Sequence, residues 1–150
     1  MPRTVGLDLE FAAADAAAVL QAVAKLYVPT RPAIAPAIEL QSLFATLTGS
    51  PGRAECVTLE FAPDPALRQF AAEHPGIVPR TADRVAVGCW WTSVRQAGER
   101  LCLSMTSATA SIADLVHFSA SVRGAFLAIA NAAPVQVTVV DDEGESRPLR

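Results

Sequence analysis

RVAVGCWWTSV (residues 84–94), RLCLSMT (100–106) and VQVTVVDD (135–142) decide the fold. Each is short, rich in β-branched, aliphatic or aromatic residues and flanked by turn formers, which reads as a strand. The first two are joined by a short connection containing Gly98 and form a hairpin. Val85, Val87, Cys89 and Trp91 make one face of its first strand, and Leu101, Leu103 and Met105 make one face of its second. The two sets share a side if the turn is odd in length, Ala97-Gly98-Glu99, which sets Trp91 against Met105. Trp90 then falls on the other face with Gly88, Thr92, Ser104 and Thr106. There it is either covered by the N-terminal helix or exposed as an aromatic anchor. Cys89 and Cys102 point to opposite sides, which excludes a bridge between them.

Between the hairpin and the last strand, Ser111 and Asp114 open a helix in capping-box fashion. Ile112, Leu115, Phe118, Val122, Phe126 and Ile129 give it a broad apolar stripe, so it is the expected central core helix. After Pro134, Val135, Val137 and Val139 face inward. Upstream, Val5, Leu7, Leu9 and Phe11 alternate with polar residues as a strand. Residues 12–27 switch to helical spacing, with Val19, Leu20, Val23, Leu26 and Tyr27 on the apolar side. Pro29, Pro32 and Pro36 stop that helix. Residues 37–47 form a second helix, and Val57, Leu59 and Phe61 mark another strand. Residues 66–73 form a short helix, and His74-Pro75-Gly76 and Pro79 an irregular loop. The expected fold is one α+β domain spanning residues 1–150. Its mixed or antiparallel sheet has about five strands, with a long C-terminal helix and an N-terminal helix packed on it. Residues 141–150 read as a solvated acidic tail.

A chain of 150 residues that is 51% hydrophobic and 18% charged is long and apolar enough to bury a core. Its net charge of −3 supplies no basic footprint for nucleic acid. No apolar run approaches the ~20 residues of a membrane span, so neither nucleic acid nor membrane is an expected partner. Cys56, Cys89 and Cys102 are odd in number and lie in strand-like runs, which reads as three reduced thiols in a cytoplasmic protein. No phosphate loop, nucleophile elbow or paired-histidine motif is present. His74 and His117 stand apart from the cysteines, so no metal, cofactor or catalytic residue is expected.

The candidate binding residues are therefore Trp90 and the acidic run Asp141, Asp142 and Glu143, which suit a protein partner with a complementary basic surface. The runs GIVPRTADRVAVGCWWTSV (76–94) and TSATASIADLVHFSASVRGAF (106–126) resemble those of small bacterial immunity proteins that neutralise a cognate secreted toxin. The resemblance covers residues 76–126. It implies a non-enzymatic, stoichiometric mechanism and a toxin encoded next door, and it assigns no residue roles. A homodimer is compatible with the same reading. One alternative is a secretion chaperone. Another is a small-ligand binder or enzyme using Arg123, His117 and Ser119 in a cleft between core helix and sheet. A sizeable pocket joining those side chains favours the last alternative, and a filled core favours the partner reading.

Overall fold

The computed structural model describes residues 4–107 and 114–149. The alternating N-terminal run forms β1 (Thr4–Ala12), which passes through a 3-10 turn at Ala13–Asp15 into α1 (Ala16–Ala24). Proline at the first helical position opens both α2 (Pro36–Thr48) and α3 (Pro65–Glu73), where a missing N–H costs nothing. Between them lies β2 (Glu55–Phe61). β3 (Ile77–Thr81), β4 (Arg84–Ala97) and β5 (Arg100–Ser107) follow. The chain then adds α4 (Leu115–Phe118), α5 (Ala120–Ala132), β6 (Val135–Asp141) and β7 (Ser146–Pro148).

Seven strands among the described residues build one antiparallel sheet in the order β2-β4-β5-β1-β6-β7, with β3 pairing to β4. Leu7, Leu9 and Phe11 of β1 and Leu101, Leu103 and Met105 of β5 bury one face of this sheet. Val137 and Val139 of β6 and Val57, Leu59 and Phe61 of β2 extend the same core. The helices supply the second layer. Phe126 of α5 contacts both Phe61 and Trp90, and Phe44 of α2 packs on Phe11. Val28 N–H donates to the Thr58 carbonyl and Glu60 N–H to that of Leu26, which covers part of the outer edge of β2.

The α+β class holds, but several details differ from the sequence reading. The sheet has seven strands, not about five: the Pro79 loop is β3, and the acidic tail doubles back as β7 after a turn at Gly144. Pro148 and the brevity of β7 suit an edge position. The long helix is divided at Ser119, whose extended backbone separates α4 from α5. Leu115, Val122, Phe126 and Ile129 are buried, but the break turns Phe118 outward to 67% exposure. Ser111 and Ile112 lie outside the described residues.

The hairpin turn also differs. It has two central residues, Gly98 and Glu99, with Gly98 at φ 61°, as a turn with glycine in the first central position requires. Thr92, not Trp91, therefore opposes Met105, and Trp91 opposes Thr106. The inversion is resolved within β4. Val57 pairs with Trp90 but Leu59 pairs with Val87, so β4 spends three residues where β2 spends two. This bulge at Gly88 and Cys89 flips the alternation. Val85 and Val87 point inward before it; Trp90, Thr92 and Val94 point inward after it.

Candidate functional site

Strand register arranges the outer face of the sheet as rows. Trp91, Thr106, Gly6 and Val140 stand side by side on β4, β5, β1 and β6. The next row is Ser93, Ser104, Asp8 and Thr138, and the one after is Arg95, Cys102, Glu10 and Gln136. Small and hydroxyl-bearing side chains make most of this face flat. Trp91 is its one large aromatic among the described residues and is 46% exposed.

Trp90, expected on the face opposite Trp91 and there either covered by the N-terminal helix or exposed, is 1% exposed, covered by Phe126 of α5, and has no surface to offer a partner. Its exposed neighbour takes that place. The signal for the exchange was Gly88, because a glycine inside a strand often marks a bulge.

Asp141, Asp142 and Glu143 lie where β6 turns into β7. Asp141 Oδ1 accepts the N–H groups of Glu143 at 3.0 Å and Glu145 at 2.9 Å, so one carboxylate shapes the turn. The side chains of Asp142, Glu143 and Glu145 are exposed. Because Thr4 pairs with Asp141 and Gly6 with Val140, this acidic turn ends the same row that Trp91 begins. Three strand spacings separate Trp91 from Val140, about 14 Å.

Further down the face, Ser104 Oγ donates to Asp8 Oδ1 at 2.8 Å. Arg95 Nη2 donates to Asp8 Oδ2 at 3.4 Å and lies 3.5 Å from Cys102 Sγ. Asp8, Glu10 and Cys102 present ligand atoms within 4.8 Å of one another, a donor set that a cation could use. The Arg95 guanidinium already supplies positive charge there, so a metal would have to displace it.

Cys56 and Cys89 are joined by a disulfide between β2 and β4, with 5.3 Å between Cα atoms, and Cys102 is the free cysteine. The expectation of three reduced thiols is corrected accordingly. Spacing could not announce the bridge, because antiparallel pairing brings together positions 33 residues apart. Cys56 pairs with Trp91, so the bridge borders the aromatic end of the row.

The helix side of the sheet holds a cleft of about 400 Å³ between α4, α5, β6 and β7. Arg123 and His117 line it, joined by Arg147. Ser119 does not: it is fully buried and donates to Asp64. Arg123 resolves its position at the edge of the apolar stripe by donating from Nε to the Val116 carbonyl at 3.1 Å and from Nη2 to that of His117. Burial, then the nearby Arg147 and Arg123 charges, hold His117 below the usual imidazole range against the opposing effect of Asp114.

Among the described residues, no helix is long and apolar enough to cross a membrane. No protein-family model matches the chain, and no curated protein or solved structure matches it either.

Proposed function

We propose that the chain is a non-enzymatic protein-binding protein whose contact surface is the Trp91 end of the outer sheet face, bounded by the acidic β6–β7 turn. The observation that carries this is their position on one row of the sheet. A half-exposed indole is a large, rigid apolar contact with a polar N–H. Thr106 and Gly6, which lie between indole and turn on this row, can be covered without burying a charge. Asp142, Glu143 and Glu145 favour a partner whose facing surface is basic and steer its approach.

The resemblance of residues 76–126 to immunity proteins gives that partner a class. It is a cognate toxin blocked by stoichiometric covering, met in the cytoplasm of the cell that makes it. Cytoplasmic thiols are ordinarily kept reduced. Binding is therefore to be measured with Cys56 and Cys89 both bonded and reduced.

The test is co-expression with the product of the neighbouring reading frame, followed by size-exclusion chromatography and a toxicity-rescue assay. A one-to-one complex is expected, with association slowing as salt is raised. Trp91→Ala should weaken it at least about tenfold, as hot-spot aromatics do. The paired Glu143→Gln and Glu145→Gln changes should act mainly on the association rate. Absence of a complex in both redox states removes the reading. A complex indifferent to Trp91→Ala and to both Glu changes moves the interface elsewhere.

A further inference from the structure

The cleft on the helix side of the sheet is independent of the outer face, and its lining is chemically unlike it. Val116, Val139 and Leu149 form apolar walls, and Arg123, Arg147 and His117 bring basic groups to the same space. We infer that this cleft binds a small amphiphilic anion, one carboxylate or phosphate group carried on an apolar body.

The positions of the two guanidinium groups support the anionic end. Arg123 is held by its bonds to the Val116 and His117 carbonyls, which leaves Nη1 without a hydrogen-bond partner among the described residues. Arg147 stands on β7 opposite Val139, on the helix side of the sheet, and pairs with no carboxylate among the described residues. The planar fork of a guanidinium matches the oxygens of carboxylate and phosphate alike.

Arg123 and Arg147 line the same cleft, so two guanidinium charges share one space beside a His117 imidazole that burial and both arginines hold below its usual range, with Asp114 as the opposing acid. Like charges gathered at an apolar cleft repel, and a bound anion relieves that repulsion. A volume of about 400 Å³ lies at the small end of ligand sites and admits a chain of several carbons.

The experiment is isothermal titration of the full chain with octanoate, octyl phosphate, 1-octanol and inorganic phosphate. At least one octyl anion should bind one-to-one, and at least about tenfold tighter than either octanol or inorganic phosphate. Comparing the two octyl anions then tells carboxylate from phosphate. Arg147→Gln should weaken that binding at least about tenfold, and Arg147→Glu should abolish it. Arg147 is exposed on a short edge strand, and melting curves of both variants report folding separately. Octanol binding as tightly as the anions would show that charge is not read. Inorganic phosphate binding as tightly would show that the walls are not used. Failure of both octyl anions to bind, or binding unchanged in folded Arg147→Gln, would equally overturn the site.

Discussion

Ser119 Oγ donates to Asp64 Oδ2 at 2.7 Å, and this contact ties together the N-termini of two helices distant in sequence. Asp64 Oδ1 accepts the Leu67 N–H at 2.8 Å and so caps α3. Its Oδ2 also accepts the Ser121 N–H at 3.0 Å in the first turn of α5, and Ser119 Oγ accepts that of Val122 at 3.2 Å. One carboxylate thus serves two orphan helix ends, where negative charge also meets the positive end of each helix dipole.

Asp64→Ala should therefore cost about 2–3 kcal/mol. That sum combines about 1 kcal/mol for each weakened cap with a further contribution from the buried Ser119 hydroxyl left unpartnered. Ser119→Ala should cost about 1 kcal/mol, and urea unfolding of the double variant should show less than the sum. Additivity would sink the shared-cap account. Burial pushes the Asp64 carboxyl up, but bonds from Leu67, Ser121, Ser119 and Ala66 outweigh it and hold the group below its ordinary range. The unfolded chain then binds the proton more readily. The contribution is complete above the ordinary carboxylate value near ~3.9 and is lost as pH falls through the depressed one. Midpoints of wild type and Asp64→Ala should converge as the solution is acidified.

The two tryptophans should behave oppositely. Trp90 fills the space beneath Phe126, so Trp90→Ala should cost about 3–5 kcal/mol through lost burial and a cavity. Its indole N–H has no hydrogen-bond partner among the described residues, so Trp90→Phe should cost much less. Trp91→Ala should change stability by no more than about 1 kcal/mol. Acrylamide should quench the fluorescence of Trp90→Phe, which retains Trp91, far more than that of Trp91→Phe. Equal quenching would contradict the bulge at Gly88.

How much of this was legible can be judged from the same residues. Strands with one buried face announced themselves, because Leu7, Leu9 and Phe11 or Val57, Leu59 and Phe61 repeat every second residue. The helices carrying Val19, Val23, Leu40 and Leu47 were equally plain from their spacing. Trp90 and Trp91 were exchanged because alternation counts residues and cannot see an extra one. Ser146, Arg147 and Pro148 have no apolar face, so the sequence reads β7 as solvated tail. It is held through backbone pairing, to which composition is blind. Arg147 carries no signal for the same reason, whereas Arg123 stands out at the edge of an apolar stripe. The break at Ser119 left a polar residue within an apolar stripe. What it could not reveal was Asp64, the distant acid that makes the break stable.

Alkylation of the unfolded, unreduced chain should add one label, at Cys102, because Cys56 and Cys89 are bonded. Mass spectrometry counts the adducts directly. Three labels on protein purified without reductant would remove the bridge.

The Pro29–Pro36 connection is held by one carboxylate. Glu39, in the first turn of α2, accepts from the Tyr27 hydroxyl at 3.1 Å, the Thr30 N–H at 2.9 Å, the Thr30 hydroxyl and the Arg31 N–H at 3.2 Å. Burial raises its pKa, but these donors bring it down to about 2. Burial and then Glu39 push the Tyr27 phenol up to about 12. The signs are opposite. The Glu39 contribution is present above the ordinary glutamate value and is lost as pH falls toward about 2. The Tyr27 contribution is present below the ordinary phenol value and is lost as pH rises toward about 12. Near neutrality both groups hold the connection. Glu39→Gln removes the charge while keeping the shape. The Thr30 and Arg31 amides should then exchange with solvent about tenfold faster at pH 7, because the bonds they make are charge-assisted. Amides in β1 should be unaffected. Unchanged exchange at Thr30 and Arg31 would mean that the prolines alone hold the segment in place.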